Sequence, residues 1–231
     1  MIIQTDKQMR DRDCFEHYPT PYELCLAALK ESRLTAFPSM NLSILDPGAG
    51  TGVWGEAART IWPNAHITGI ELRDTVTHPT AYDTWLTSNY ITTQFVDRKF
   101  DLIIGNPPYG DVWEQEQRRL KKEAKRRREY YVRPKRPADQ PMADAEAFTR
   151  KALSELAMGG SLVFLLRLAF LEGQNRSEKF WPTHCPEKVL TLSKRPSFTG
   201  NGKTDATAYS MFYWSINNSH SEYYKGGWLK W

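Results

Sequence analysis

The sequence predicts an α/β fold in which a mainly parallel sheet carries helices on both faces. Two short apolar runs, residues 43–46 and 100–105, have the composition of buried parallel strands. Each run ends in a turn built from glycine or proline, at residues 46–52 and 106–109. The first turn leads into a helical segment and then into a further apolar run that ends in Glu71. This order is typical of sheets that bind a ligand at the carboxyl ends of their strands.

The remaining elements follow from the same patterns. Helices are predicted to begin near Pro21 and to cover residues 53–61 and 142–158, the last of them closed by Gly159 and Gly160. Strands are predicted at residues 43–46, 65–71, 86–91, 100–105, 161–166, 189–192 and 206–216. The tail that follows receives no assignment.

Length and composition indicate one globular domain spanning residues 1–231. With 40% hydrophobic and 25% charged residues, the chain has no apolar run near the roughly 18 residues needed to cross a bilayer. Its first residues lack the basic flank and apolar centre of a signal peptide, so we expect a cytoplasmic protein with no membrane partner. The cysteines Cys14, Cys25 and Cys185 lack the spacing of zinc ligands or of a disulfide framework, so no metal site is predicted.

The Asn-Pro-Pro-Tyr turn (residues 106–109) is the most informative stretch. Pro107 and Pro108 fix the backbone and cannot donate to a sheet, so they hold Asn106 and Tyr109 on a stiff turn. The Asn106 side-chain oxygen and the Pro107 carbonyl can each accept a hydrogen bond from an NH2 group, and the Tyr109 ring can stack on a planar base. Two fixed acceptors would draw an aromatic amine toward tetrahedral geometry and free its lone pair. The alternative is an ordinary proline-rich loop in which Tyr109 only packs.

The glycine-rich loop (residues 46–52) predicts a nucleoside-type cofactor, because its glycines permit positive φ and close approach of a ligand. No Lys-Ser or Lys-Thr pair follows it, so it is not a P-loop, and its spacing departs from the nicotinamide pattern. Glu71 stands where an acid would bind a cofactor ribose. Thr20 is predicted to cap a helix whose first residue is Pro21, with Glu23 as capping-box partner. The free end of that helix could hold a carboxylate.

Positive charge is concentrated in the basic insertion (residues 111–141). From Arg118 to Arg136 it has eleven Lys or Arg and two Glu, a local net charge of 11 − 2 = +9 against +4 for the whole chain. Its first half consists of good helix formers with too few apolar residues for a buried face. It is therefore predicted to be a solvated helix or a disordered arm. Because it directly follows the Asn-Pro-Pro-Tyr turn, we expect it to contact nucleic-acid phosphates.

With these motifs in place, the chain resembles the class I S-adenosylmethionine-dependent methyltransferases from about residue 18 to residue 214. More narrowly, it resembles DNA adenine-N6 methyltransferases of the stand-alone, phage-borne kind. The resemblance implies a Rossmann-like sheet of seven strands with the last antiparallel, S-adenosylmethionine as cofactor and DNA as partner. The motif order, with Thr20-Pro21 before the glycine-rich loop and the Asn-Pro-Pro-Tyr turn last, is that of the gamma group. Both a monomer and a homodimer agree with the sequence.

The resemblance and the charge pattern together assign individual residues. The catalytic set is Asn106, Pro107, Pro108 and Tyr109. The cofactor-binding set is Tyr18, Thr20, Pro21, Asp46, Gly48, Gly50, Gly52, Glu71, Asn89, Tyr90 and Asn106. The substrate-binding set is Tyr109, Phe198, Arg118, Lys121, Lys122, Lys125 and Arg126. Within the last set, the resemblance implies that Phe198 packs on the extruded base.

Two features depart from the family pattern. Asn89 and Tyr90 stand where the family commonly has Asp-Phe, whose acid contacts the cofactor adenine. Asn89 keeps an acceptor there but loses the charge. We expect no separate target-recognition domain after the last strand, so selectivity for a sequence would come from the basic insertion, nearby loops or a partner.

Three other functions share part of this pattern. The Asn-Pro-Pro-Tyr turn also occurs in methyltransferases of RNA adenines and of a release-factor glutamine amide, because each substrate presents a planar NH2 group. The glutamine enzymes usually carry an N-terminal helical domain, for which too few residues precede Tyr18. A basic arm does not distinguish DNA from RNA. From another class, a non-catalytic nucleic-acid-binding module could share the same fold.

Overall fold

The computed structural model describes residues 19–110, 112–137, 144–198, 204, 207–216 and 224–231. The strands are β1 (Ser43–Asp46), β2 (His66–Glu71), β3 (Thr84–Thr87), β4 (Phe100–Gly105), β5 (Leu156–Arg167), β6 (Lys188–Leu192), β7 (Tyr209–Ser215) and β8 (Lys225–Leu229). The α-helices are α1 (Tyr22–Lys30), α2 (Val53–Ile61), α3 (Val112–Arg127), α4 (Ala145–Glu155), α5 (Gln174–Lys179) and α6 (Trp181–His184). Short 3₁₀ helices cover Arg33–Ala36 and Leu168–Leu171.

The strands form a single sheet in the order β3-β2-β1-β4-β5-β7-β6-β8. Neighbours from β3 to β5 are parallel, and β7 runs antiparallel to both β5 and β6. The predicted α/β class and the antiparallel seventh strand are therefore confirmed. The predicted count of seven strands is too low by one, because β8 adds to the free edge of β6 in parallel. Two glycines in β8 hide its strand pattern in the sequence.

Hydrophobic clusters cover both faces of the sheet. The neighbouring residues Ile44 and Leu45 of β1 belong to different clusters, since successive side chains of a strand point to opposite faces. Helices α1 and α2 pack in the first cluster, and α4 packs in the second. The predicted helices on both faces are therefore confirmed. Burial on both sides explains why the central strands read as continuous apolar runs.

The start of α1 differs from its prediction. The helix begins at Tyr22, and Pro21 rather than Thr20 is the N-cap residue, with no side-chain cap. The predicted capping box is therefore wrong. The physical reason is that Pro21 itself is extended, with φ −58° and ψ 137°, so it precedes the first helical residue and takes the N-cap position predicted for Thr20.

Two further predicted element boundaries, the end of β3 and the end of α4, differ from those in the structure. Strand β3 ends at Thr87, because the Asn89 carbonyl oxygen accepts hydrogen bonds from the backbone N–H groups of Thr92 and Thr93 and closes a turn. Gly159 and Gly160 do not close α4 but lie inside β5. A Cβ on Gly160 would lie 2.9 Å from a backbone oxygen of its own strand and 3.0 Å from one of β4, so this glycine allows a close backbone approach.

Among the described residues, no helix is both long and apolar enough to cross a membrane. The same residues include no group of three or more His, Cys, Asp or Glu side chains that could bind one metal ion.

Candidate active site

The carboxyl ends of β1, β2 and β4 meet at one edge of the sheet. Strand β1 lies between the other two, with Asp46 paired to Gly69 of β2 and Leu45 paired to Ile103 of β4. The glycine-rich loop leaves β1, Glu71 ends β2, and the Asn-Pro-Pro-Tyr turn leaves β4. The strand order reverses between β1 and β4, which is the point where α/β sheets open a crevice for ligands.

The glycine-rich loop has the backbone that its composition predicts. Gly50 and Gly52 have φ angles of 55° and 96°, and a Cβ on Gly52 would lie 2.7 Å from Pro79. Gly48 differs, because its nearest neighbours, the Asn106 carbonyl oxygen and an aromatic ring, are both 4.0 Å from a Cβ placed there. A Cβ at Gly48 would therefore make only ordinary van der Waals contact, and this part of the loop lies next to the Asn-Pro-Pro-Tyr turn.

Glu71 connects the loop to β2. Its carboxylate accepts a hydrogen bond from the Gly50 backbone N–H at 2.8 Å, and from the Arg73 backbone N–H and Nε at 3.0 and 2.8 Å. Burial opposes ionisation, but the hydrogen bonds and charge of Arg73 and the Gly50 N–H outweigh it. Together they hold the pKa of Glu71 below its ordinary value. A fixed, ionised carboxylate therefore stands at the site edge.

Asp46 is fully buried at the end of β1. Its Oδ2 accepts a hydrogen bond from the Tyr82 hydroxyl at 2.7 Å, while its Oδ1 has no hydrogen-bond partner among the described residues. Burial is the main reason that its pKa rises to about 7. Gly105, with a φ of 151°, makes room for this carboxyl, because a Cβ there would lie 3.1 Å from Oδ1. One unpaired, buried oxygen thus lies beside the start of the Asn-Pro-Pro-Tyr turn.

The other predicted cofactor residues fall into two groups. Thr20 is buried, and its hydroxyl has no hydrogen-bond partner within the described ranges. Asn89 Oδ1 accepts a hydrogen bond from a backbone N–H two residues later at 3.0 Å, and the buried Tyr90 donates its hydroxyl to Glu155 at 2.6 Å. Thr20 therefore offers a buried polar atom, whereas Asn89 and Tyr90 already bond within the protein. Tyr18 lies outside the described residues.

Side chains of the Asn-Pro-Pro-Tyr turn bond to each other. The Tyr109 hydroxyl donates a hydrogen bond to the Asn106 side-chain oxygen, the atom predicted to accept from an amine. The Arg167 guanidinium lies 4.8 Å from the centroid of the Tyr109 ring. The Tyr209 ring lies 5.5 Å from Tyr109 and 5.0 Å from Phe198. The two rings predicted to sandwich a base, Tyr109 and Phe198, are thus bridged by a third ring.

A pocket of about 180 Å³ opens beside Tyr109. It is lined by Tyr109, Ala145, Leu166, Arg167, Ala169, Phe170 and Arg176. Phe198 is not part of this lining and is only 5% exposed. The pocket is therefore closed mainly by β5 and the residues that follow it.

Helix α3 of the basic insertion carries two kinds of cation. Arg119 and Arg127 form ion pairs with Glu123 at 3.6 and 2.5 Å, and Arg126 lies 4.0 Å from the same carboxylate. The second kind has no ion pair among the described residues and shares one helix face by its i, i+3, i+4, i+7 spacing. Its members are Arg118, Lys121, Lys122 and Lys125. The cations on one side of the helix thus share the Glu123 carboxylate, whereas those on the other side have no ion pair within the described ranges.

The segment that follows α3 folds back onto it. The Tyr131 hydroxyl donates a hydrogen bond to the Gln117 side chain at 2.7 Å. The guanidinium groups of Arg133 and Arg136 lie 5.0 and 4.7 Å from the Trp113 ring centroid. Of the two predicted forms of the basic insertion, its described part is therefore the solvated helix, held by a return segment.

Comparison with known proteins identifies the family. The sequence model of the Eco57I restriction-modification methylases matches residues 53–196, more than half of the chain, including Glu71 and the Asn-Pro-Pro-Tyr turn. The chain belongs to the Eco57I restriction-modification methylase family. It is therefore a methyltransferase of the restriction-modification type. No curated protein is a significant sequence match to this methylase.

Solved structures share the fold of this methylase. A Listeria monocytogenes protein assigned to the class I S-adenosylmethionine-dependent methyltransferases has a TM-score of 0.65 and 15% identity, over 96% of this chain and 69% of its own. A Vibrio vulnificus protein assigned as a modification subunit of a type I restriction enzyme has a TM-score of 0.58 and 15% identity, over 94% of this chain and 51% of its own. A Pyrococcus horikoshii protein assigned as an RNA methyltransferase has a TM-score of 0.57 and 15% identity, over 88% of this chain and 89% of its own. This methylase thus spans about half the length of the Vibrio subunit.

The cofactor of this methylase is S-adenosylmethionine. The residues at the sheet edge fit such a group. Thr20 Oγ1 and Asp46 Oδ1 are buried polar atoms without partners in the described part of the chain. Gly48 brings side-chain-free backbone next to the Asn106 carbonyl, and Glu71 is an ionised carboxylate at the tip of β2.

Two residues of the site were missed by sequence reasoning. Tyr82 binds the Asp46 carboxyl and also accepts a hydrogen bond from the Gly55 backbone N–H at 3.2 Å. No pattern in the sequence marks it. Arg167 covers the Tyr109 ring, and it had a readable signal, because a charged residue directly follows the apolar run of β5.

Proposed function

We propose that this methylase transfers the methyl group of S-adenosylmethionine to the N6 amine of adenine in DNA, after the base has been flipped out of the helix. The order of its motifs, with Thr20 before the glycine-rich loop and the Asn-Pro-Pro-Tyr turn after it, supports a place in the gamma group. The observation that carries the proposal is the position of Asn106. Its backbone carbonyl oxygen lies 4.0 Å from a Cβ placed on Gly48 of the glycine-rich loop, and its side-chain oxygen accepts a hydrogen bond from Tyr109, which lines the pocket.

The cofactor would lie along the edge of the sheet. Glu71 would accept hydrogen bonds from the ribose hydroxyls, and the glycine-rich loop would pass close beneath the nucleoside. Thr20 and the N-terminus of α1 would hold the methionine carboxylate. When bound, S-adenosylmethionine supplies a methyl group on a positively charged sulfur.

Asn106 would prepare the amine for transfer. Its side-chain oxygen and the Pro107 carbonyl would accept hydrogen bonds from the two amine hydrogens, which favours tetrahedral nitrogen and frees the lone pair. The Tyr109 hydroxyl donates to the same Asn106 oxygen in this structure. An entering amine would therefore share or replace that bond. The proton is lost after transfer, so the chemistry requires neither a His nor a Cys nucleophile.

Base flipping follows from the position of the target atom. Within a duplex the adenine amine is paired and stacked, so a methyltransferase has to extrude the base or act on single strands. The Tyr109 ring would receive the base, and Phe198 would support it through Tyr209, on which Phe198 packs. The cations of α3 that form no ion pair with a described residue would bind phosphates beside the target.

RNA is the second candidate substrate. The likeness to the Pyrococcus horikoshii protein extends over 89% of that chain, and a row of cations binds both nucleic acids. A non-catalytic module is disfavoured by the Asn106 acceptor next to the glycine-rich loop.

One experiment separates these functions. The purified protein is incubated with S-adenosylmethionine and with DNA or RNA, and the products are digested to nucleosides and analysed by mass spectrometry. N6-methyl-2′-deoxyadenosine supports the proposal. N6-methyladenosine from RNA without the DNA product would mean that the substrate is RNA. Cofactor binding without any methylated nucleoside would indicate a binding module.

A further inference from the structure

Arg167 ends β5 at the pocket beside Tyr109. Strand β5 pairs with β4 up to Gly105 and then continues past the last residue of β4, which brings Arg167 over the Asn-Pro-Pro-Tyr turn. Its guanidinium lies 4.8 Å from the centroid of the Tyr109 ring. Both side chains line the same pocket. A base that enters this pocket and stacks on Tyr109 has to take the position of the guanidinium.

The charge of Arg167 is not balanced by the protein around it. Its Nε is buried without a hydrogen-bond partner, and no ion pair involves it in the described part of the chain. The other pocket cation, Arg176, donates to the carbonyl oxygens of Phe170 and Glu172 at 2.9 and 2.5 Å. The nearby carboxylate of Glu146 lies 3.0 Å from Arg150 and 4.0 Å from Arg176.

A guanidinium moved off Tyr109 needs a new acceptor. The rest of the pocket lining is Ala145, Leu166, Ala169 and Phe170, which offers little to a charged group that loses water and its aromatic contact. A flipped nucleotide carries a phosphate on each side of its sugar. Guanidinium groups bind phosphate oxygens through two parallel N–H donors, which is the strongest contact open to Arg167.

We propose that Arg167 is a positioning residue for the target nucleotide. It covers the stacking surface of Tyr109 and, once the base displaces it, binds a phosphate next to the flipped nucleotide. By covering the ring, Arg167 would hinder other planar molecules from stacking on Tyr109. By binding the phosphate, it would hold the sugar and base in position next to Asn106. This inference rests on the proposed function, because it takes the pocket beside Tyr109 to be the place of the base.

The test combines a protein variant with a change in a single phosphate. The probe is a single-stranded oligothymidylate with one central adenine, made with a neutral methylphosphonate at either the 5′ or the 3′ linkage of that adenine. Binding by wild type and by Arg167→Gln is measured by fluorescence anisotropy in the presence of S-adenosylhomocysteine. Initial rates of methylation provide KM and kcat.

The matched control is Arg98→Gln. Arg98 also lies over an aromatic ring, at 5.2 Å from the centroid of Phe100, and bonds to Thr68 at 3.1 Å. It lies by the start of β4, at the opposite edge of the sheet from the Asn-Pro-Pro-Tyr turn. The control therefore removes the same charge and the same kind of contact without touching the pocket.

In wild type, one of the two methylphosphonates is expected to weaken binding by about 10- to 100-fold, the range for a charged hydrogen bond. Arg167→Gln should weaken binding of the unmodified probe to a similar extent and show no further loss with that methylphosphonate. It should raise KM more than it lowers kcat. Arg167→Lys should restore part of the affinity and part of the sensitivity, and Arg98→Gln should behave as wild type.

Several outcomes would overturn the inference. The losses from Arg167→Gln and from the methylphosphonate could multiply, which would mean that they act independently. A second such outcome is that neither methylphosphonate weakens binding by wild type. A third is that Arg167→Lys, shown to be folded by thermal melting, binds the methylphosphonate probes and the unmodified probe equally well. If no methylated adenine forms from DNA or RNA, the proposed function fails, while the binding cycle still decides the role of Arg167.

Discussion

The Asn-Pro-Pro-Tyr turn with its surroundings and the basic insertion are adjacent in sequence but differ in physical character. Around the turn, Asp46 is fully buried and Glu71 is 7% exposed, and each is held by particular donors. On α3, the side chains of Arg119 and Arg126 are 57% and 73% exposed. Charges at the turn are strongly perturbed by burial, whereas exposed charges are screened by water and salt.

This difference suggests separate roles for the two regions of this methylase. A few fixed groups at the turn would act through geometry, and the loss of one of them should impair one step. The many exposed cations would act through their summed field, so each alone should matter little. The predictions below sharpen or break this division, with those on binding and reaction in order of decreasing expected effect and the one on stability last.

The largest effect is expected from the exposed cations taken together. Replacing Arg118, Lys121, Lys122, Lys125 and Arg126 by Gln should reduce the slope of log K against log salt by about 4 to 5, with roughly 10³-fold or more lost affinity near about 0.1 M salt. Cofactor binding should be unchanged. Fluorescence anisotropy over a salt series measures both quantities.

A matched pair of double variants tests which cations matter. Lys121→Gln with Lys125→Gln removes two charges without ion pairs in the described chain, and Arg119→Gln with Arg127→Gln removes two that pair with Glu123. The first pair should lower the salt slope by about 2, and the second by clearly less. Equal slopes would show that the paired and unpaired sides of α3 are equivalent.

The next effect concerns the reaction. Asn106→Ala removes an acceptor that matters most in the transition state, so kcat should fall by about 10²-fold or more. Binding of S-adenosylmethionine should persist, since Glu71 and the glycine-rich loop remain. Single-turnover kinetics and calorimetry measure the two quantities separately. Full methylation of adenine by this variant would refute the proposed role of Asn106.

Loss of the acid at the tip of β2 should affect the cofactor alone. Glu71→Ala should weaken S-adenosylmethionine binding by about 1.5–3 kcal/mol, the range for a charged hydrogen-bonding group. Calorimetric titration measures this change, with nucleic-acid affinity as the control that should not move. Tighter binding of NAD or ATP than of S-adenosylmethionine by the wild-type protein would contradict the role assigned to Glu71.

The last prediction concerns the pH dependence of stability rather than function. The pKa of Asp46 is raised from 3.8 to about 7 by burial, so between these values the folded protein holds a proton that the unfolded chain has lost. Stability should therefore fall as pH rises toward 7 and level off above it, by up to about 1.4 kcal/mol per pH unit. Thermal melting of the cofactor-free protein from about pH 5 to 8 measures the trend.

Asp46→Asn supplies the reference for that measurement. It mimics the protonated carboxyl and cannot ionise, so it should lack this part of the pH dependence. A wild-type curve parallel to that of the variant would mean that Asp46 does not titrate in this range.

Local signals predicted much of the molecule. Both ends of α2 lie where they were predicted, because the glycines before it and the spacing of its apolar residues are local properties. β1, β2 and β4 were likewise readable, since central parallel strands are apolar throughout. β8 was not readable, because two glycines break its pattern and its partner, the edge of β6, is remote in sequence. The start of α1 was misplaced, because Pro21 has an extended backbone and takes the N-cap position predicted for Thr20.

The sequence by itself determined the chemical groups of the site, namely the stiff acceptor at Asn106, the glycine-rich loop and the acid Glu71, because each depends on a short motif. Only the tertiary structure decided which side chains contact the residues of the site. Tyr109 donates to Asn106, Tyr82 binds Asp46, and Arg167 covers the Tyr109 ring. The last two contacts join residues on different strands or loops that meet only when the sheet forms. Side-chain partners and the burial that shifts a pKa depend on this packing, which no local pattern encodes.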